Sequence, residues 1–205
     1  MITIIIIVIT VIVSILCFQN QDLFMKLRFS PYLVRTKNQT YRFFTHAFVH
    51  ADWMHLLVNM FVLYNFGSIV ESFFSENFGG KGIPYFIILY LGGILFSSLP
   101  AFWKHQHDHT YSSIGASGAV SGVLFSCILF APLSGIYLMF IPIPIPAVIF
   151  GILYLAFEAY SARKASDNIG HDAHFWGAIY GVIITLMLDH NVGLLFINQI
   201  KGIFN

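Results

Sequence analysis

Charge is scarce in this sequence: Asp, Glu, Lys and Arg make up 9% of its 205 residues, where a soluble domain carries about 25%. With 58% hydrophobic residues and a mean hydropathy of +0.78, the chain cannot give a globule a wettable surface. The lipid bilayer is its natural solvent. Neither sign of charge is in excess. A net charge of +1 from scattered Lys and Arg is not the basic patch of a nucleic-acid binder, so no nucleic-acid partner is expected. Cysteine is nearly absent. Cys17 and Cys127 both fall inside apolar runs, which argues against a disulfide framework and leaves them as small apolar side chains. No internal repeat or low-complexity linker divides the chain, so residues 1–205 read as a single domain. The HExxH signature of a metalloprotease is missing as well.

What the sequence does contain is apolar runs. The run at 2–18 has no Lys or Arg before it and no small-residue cleavage pattern after it, so it reads as a retained spanning helix rather than a signal peptide. Runs at 53–74, 84–102, 115–130 and 174–188 follow. The fifth is less regular. "IPIPIP" (141–146) cannot lie within a regular helix, but Pro146 suits a first turn, which gives a helix over about 146–160. Residues 133–145 are left as an apolar extended segment. The expectation is an all-α membrane protein of six spanning helices. Its longest polar connection, 20–52, holds half of the basic residues. The odd-numbered loops carry Lys26, Arg28, Arg35, Lys37, Arg42, Lys104, Arg163 and Lys164, which by the positive-inside rule places them in the cytoplasm.

Polar groups at membrane depth are costly and point to a bundle interior or a water-filled cavity. "FFTHAFVHADWMHLLVNMFVLYNFG" carries His46, His50, His55 and Asn59. His46 and His50 read as hydrogen-bonded packing residues. His55 and Asn59, four apart on one helical face, read equally well as packing or as donors aimed at a cavity. In "GHDAHFWGAIYGVII", His174 is followed by Gly177 and Gly181, a small-xxx-small pair matched by Gly118 and Gly122 in "YSSIGASGAVSGVLF". Such pairs favour close helix contact, and contact here sets Ser117 and His174 at one depth.

A hydroxyl becomes a useful nucleophile when an imidazole can take its proton. At a helix start, free backbone N–H groups favour developing negative charge. Gly115 and Gly118 keep the backbone bare for a carbonyl, and His55 and Asn59 are candidate oxyanion donors. A third, acidic member is not identifiable. Asp189 lies about 22 Å along the helix from His174, Asp172 points elsewhere, and nothing in the sequence fixes Glu158 near His174. A Ser–His dyad is the economical reading. The histidines of "HQHDH" (His105, His107, His109), with His171 and His174, raise a metal site as an alternative. A solvated polar loop is the commoner explanation for them, and no metal or cofactor is expected.

From about Arg42 to Asp189 the chain resembles a rhomboid family intramembrane serine protease. The resemblance rests on "RFFTHAFVHADWMHLLVN", Glu71 in "FGSIVESF", "GASG" and "AHFWGAIYG", in that order. It implies a six-transmembrane-helix rhomboid-like bundle whose first loop lies partly in the membrane. It further implies Ser117 as nucleophile, His174 as general base, and His55, Asn59 and the Ser117 N–H as oxyanion donors. Gly115 matches the first glycine of GxSG, and Gly177 and Gly181 match packing glycines. Arg42 and Glu71 match a pair tying the first loop to the second helix. Ser121 stands where some relatives carry a tyrosine that packs on the histidine. The implied activity is cleavage of transmembrane protein substrates in the bilayer. A noncatalytic rhomboid-like protein that binds membrane clients is the alternative. The implied setting is a bacterial inner membrane with the site opening to the outer face, opposite to the placement the basic residues give.

Overall fold

The computed structural model describes residues 1–137, 143–164 and 169–202. Helix α1 (Ile2–Gln19) fills the first apolar run. The long polar connection then folds into short helices, each started by a side-chain cap or a tight turn. The Asn20 side chain accepts from Leu23 N–H to start α2 (Gln21–Leu27). Ser30 accepts from Leu33 N–H to start α3 (Pro31–Lys37). α4 (Arg42–Thr45) runs into a 3-10 turn at His46–Phe48. Asp52 caps α5 (Trp53–Phe78) through His55 N–H. A turn at Gly79–Lys81 leads into α6 (Gly82–His105). α7 (Ser117–Phe130), α8 (Ala147–Lys164), α9 (His171–Leu188) and α10 (Asn191–Lys201) follow. Two short strands, β1 (Gly135–Ile136) and β2 (Ile145–Pro146), pair antiparallel just before α8. They hold the ends of the segment expected to be extended, while its residues 138–142 lie outside those described. Pro146 therefore pairs as a strand residue, and the helix starts one residue later.

Ile2–Gln19 and the Trp53–His105 stretch, which comprises α5 and α6, are long and apolar enough to cross a membrane, with mean window hydropathies of 2.9 and 1.8. Trp53, Leu57, Phe61 and Tyr64 on α5, Ile152, Leu153 and Phe157 on α8, and Ile183 and Met187 on α9 all lie exposed on the outside. So much outward apolar surface marks a face solvated by lipid. The protein is a helical membrane protein.

At its centre stands α7. Every residue from Gly118 to Leu129 is buried, as expected of a helix that is apolar on all sides. It packs on α5, α6 and, most extensively, α9. The α7–α9 seam is made of the small residues marked in the sequence. A Cβ built on Gly177 would stand 2.0 Å from Gly118 O, and one on Gly181 would stand 2.1 Å from Gly122 O. One turn further, Thr185 donates to Ser126 at 2.9 Å. Backbone meets backbone along this line, so no side chain larger than hydrogen fits.

Among the described residues, one expected pair does not form. Arg42 opens α4 and Glu71 lies in α5, and they bond to different partners. The Arg42 guanidinium donates to Gln39 Oε1, Met25 O and Arg28 O, which ties the first loop to itself. Glu71 accepts from Ile2 N–H at 2.7 Å, Thr3 N–H at 2.9 Å and Thr3 Oγ at 2.7 Å. A buried carboxylate in α5 thus satisfies the otherwise unpaired first amides of α1. The other end of α1 is held by Ser14 Oγ, which lies 2.9 Å from Phe48 O and 3.0 Å from His50 Nδ1.

Candidate active site

The start of α7 is fixed by three strands of bonding from the first loop. Phe29 and Ser113 exchange both backbone hydrogen bonds, at 2.9 and 3.1 Å. Arg28 Nη1 donates to Ser112 Oγ at 3.1 Å, and Gly115 N–H donates to His46 O at 3.0 Å. Gly115 has φ +107°, a region L side chains rarely adopt. Its bare α-carbon opens the centre of the site: the point where a Cβ would stand lies 2.9 Å from His55 Nε2 and 3.9 Å from Ser117 Oγ. The His55 ring therefore packs directly on Gly115, with Ser117 Oγ close to the same point. Behind them the first amides of α7 have no partner within the helix.

His55 turns its Nε2 to Gly115. Its Nδ1 accepts from Ala51 N–H at 3.4 Å, which leaves the ring proton on Nε2, the nitrogen beside Gly115. One turn on, buried Asn59 gives one amide proton to His55 O at 2.9 Å. His46 and His50 pack elsewhere. His46 Nδ1 lies 3.0 Å from Arg42 O and its ring rests on Phe29, while His50 is wholly buried against Ser14 and His55. Burial pushes the His46 imidazole down from 6.5 to about 4, the Arg42 backbone bond opposing it weakly.

His174 enters from α9, which starts at His171 rather than at 174. The neighbouring Ala173 O lies 3.3 Å from where a Gly118 Cβ would stand, so Ser117 and His174 meet the seam at the same level. His174 also lies within electrostatic range of His55. No hydrogen bond joins Ser117 to His174 among the described residues; serine–base bonds are often long in unliganded sites.

A buried carboxylate lies beside His174. Glu158 of α8 bonds both imidazoles of the first turn of α9, Oε2 to His171 Nδ1 at 2.5 Å and Oε1 to His174 Nδ1 at 3.1 Å. The sequence could not place Glu158 near His174, and the structure puts the two in contact. The signal was there: Glu158 is the lone acidic residue of an apolar helix, and such residues seldom sit in lipid without a task. Tyr154, one turn before it, places its hydroxyl 2.7 Å from Ser121 Oγ, so a tyrosine reaches the Ser121 position from α8.

The histidines of the 105–109 loop disperse. His105 stacks on Tyr111, His107 meets Arg35 and His109 sets its edge to Tyr32. Asp172 pairs with Lys104 at 3.5 Å. Among the described residues, the group with metal-ligand chemistry is Glu158, His171 and His174, each offering an atom within 4.8 Å of the others.

Ser117 thus opens a buried helix of a membrane protein, with one imidazole level with it and a second beside Gly115. Residues 37–191 match the Rhomboid domain, and the chain belongs to the rhomboid family. It is 32% identical over 155 residues to RHOMBOID-like protein 12, mitochondrial, of Arabidopsis thaliana, covering 68% of this chain and 44% of that protein. It is 30% identical over 170 residues to Rhomboid-like protein 11, chloroplastic, of the same plant, covering 78% and 56%. With Rhomboid protein 1, mitochondrial, of Saccharomyces cerevisiae it shares 28% over 140 residues, covering 67% and 38%. The chain thus spans roughly half, or less, of the length of these relatives. Their names place them in mitochondria or chloroplasts, which lends no support to the expected bacterial inner membrane.

Proposed function

We propose that this protein is an intramembrane serine endopeptidase that hydrolyses a peptide bond in or near a transmembrane segment of another membrane protein, within a bundle of six spanning helices. The observation that carries the reading is the approach of His55 Nε2 and Ser117 Oγ to one point beside Gly115. It brings a nucleophile and an oxyanion donor together at a residue without a side chain. Ser117 Oγ attacks the carbonyl carbon as its proton passes to His174 Nε2. The oxyanion is held by the Ser117 N–H, His55 Nε2–H and the second amide proton of Asn59. His174 returns the proton to the leaving amine, and the acyl-enzyme is cleaved by water along the reverse path.

Depth follows from length. At 1.5 Å per residue α7 is about 21 Å long, shorter than the ~30 Å hydrocarbon layer, so its open end meets substrate below the membrane surface. Water reaches it past the polar groups of the first loop. Reconstituted protein should cleave model transmembrane substrates and react with a fluorophosphonate at Ser117. Ser117→Ala and His174→Ala should each abolish cleavage while the protein stays folded. Full cleavage by Ser117→Ala would sink the mechanism, and a folded wild type inert to both substrate and probe would favour a noncatalytic client-binding protein.

A further inference from the structure

We propose that Glu158 is the positioning residue for His174, a third member of the proposed proton path, and that His171 holds its carboxylate in place. The inference rests on Ser117 and His174 acting as nucleophile and base. Its basis is the geometry at the contact of α8 with α9. His171 and His174 are three apart in the first turn of α9 and share a face. Each presents Nδ1 to a different oxygen of one carboxylate, at 2.5 and 3.1 Å. The carboxylate and the His171 ring are each 5% exposed, whereas His174 keeps 16% of its side chain open. The ring that remains accessible is the one level with Ser117.

The arrangement decides the tautomer. A carboxylate only accepts, so each Nδ1 bonded to it carries its proton. His174 therefore meets the site with a bare Nε2, the form that can take a proton from Ser117 Oγ. As that proton transfers, Nε2 becomes N–H and the ring becomes an imidazolium. Its Nδ1–H stays bonded to an ionised Glu158, which stabilises the new charge without taking the proton. The Nε2 proton then leaves with the amine, restoring the neutral ring. His171 is the outer clamp. Bonded to the second oxygen, it prevents the carboxylate from rotating away.

Glutamine separates this role from simple stapling of α8 to α9. It has the shape of Glu158 but one acceptor oxygen, so its amide nitrogen must face one of the two imidazoles. Where that ring is His174, Nε2 carries the proton and can no longer act as a base. Glu158→Gln should lower kcat by about 10- to 10⁴-fold, the span between a loosely and a fully enforced tautomer, with KM unchanged. Glu158→Asp, which keeps two acceptors, should recover part of the loss. His171→Phe, which removes the clamp but leaves Oε1 on His174, should lower kcat by less than Glu158→Gln does. In wild-type protein carrying ring-¹⁵N histidine, the His174 signal should be that of the Nδ1–H tautomer. The opposite tautomer would overturn the proposal without needing any variant to fold. So would wild-type kcat in a Glu158→Gln protein whose His174 signal is that of the Nε2–H tautomer, measured beside an inactive Ser117→Ala, and the serine mechanism would then stand. Cleavage by Ser117→Ala would instead remove the reading beneath it.

Discussion

His55 and Asn59 sit one turn apart but differ in what they have left to give. His55 turns a committed Nε2–H towards Gly115, whereas Asn59 has already given one amide proton to its own helix. His55→Ala should therefore lower kcat by about 10²–10³-fold with little change in KM, as for loss of an oxyanion donor. Asn59→Ala should cost less; steady-state cleavage of one transmembrane substrate compares the two. His46 carries a different expectation. Its folded-state value of about 4 lies below the ordinary 6.5, so between those values the unfolded chain binds a proton that the folded one refuses. Stability from this group is complete above 6.5 and drains as pH falls towards 4. The melting temperature in detergent should be lower at pH 5 than at pH 7, and His46→Phe should shrink the difference. At this scale the sequence was legible where residue type is unusual for its surroundings. Ser117 between glycines and His174 at a helix start stood out against apolar runs. Glu158 stood out too, but its partner depends on how α8 is turned, and α8 follows a proline-rich stretch whose periodicity gives no phase.

The α7–α9 seam shows how far spacing alone can reach. Gly118 and Gly122, with Gly177 and Gly181, are readable as a close contact because four-residue spacing of small residues has one geometric use in a membrane helix. The third rung, Ser126 with Thr185, has the same spacing and hides only because hydroxyl residues have other uses. Gly181→Ala drives a methyl into the Gly122 carbonyl and should destabilise the fold by about 1–3 kcal/mol or more, the range for overpacking, seen as a lower SDS-unfolding midpoint. Helix α1 was legible as an element but its anchor was not. Resemblance assigned Glu71 to Arg42, whereas in this fold Glu71 caps α1 and Arg42 closes the first loop on itself. Hydrogen bonds to a charged group contribute about 1.5–3 kcal/mol each before coupling. Glu71→Ala should therefore loosen α1 and raise amide exchange at Ile2 and Thr3, while Arg42→Ala should leave that exchange unchanged and affect the first loop instead.

Taken as a whole, the molecule keeps its proposed nucleophile on the helix least able to stand alone. With its residues from Gly118 to Leu129 covered by neighbours and only 14 residues in length, α7 falls short of the roughly 17 that a lone spanning helix needs. The consequence concerns biogenesis. A chain emerging from the ribosome can seat α1, α5 and α6 one after another, but α7 gains its most extensive wall only when α9 arrives. The same helix delivers His174. Chains stopped after α8 should therefore resist the fluorophosphonate while full-length chains react, a comparison open to stalled translation in microsomes. Hydrolytic competence would then mark completed assembly, and a half-inserted copy would pose no threat to the membrane proteins around it.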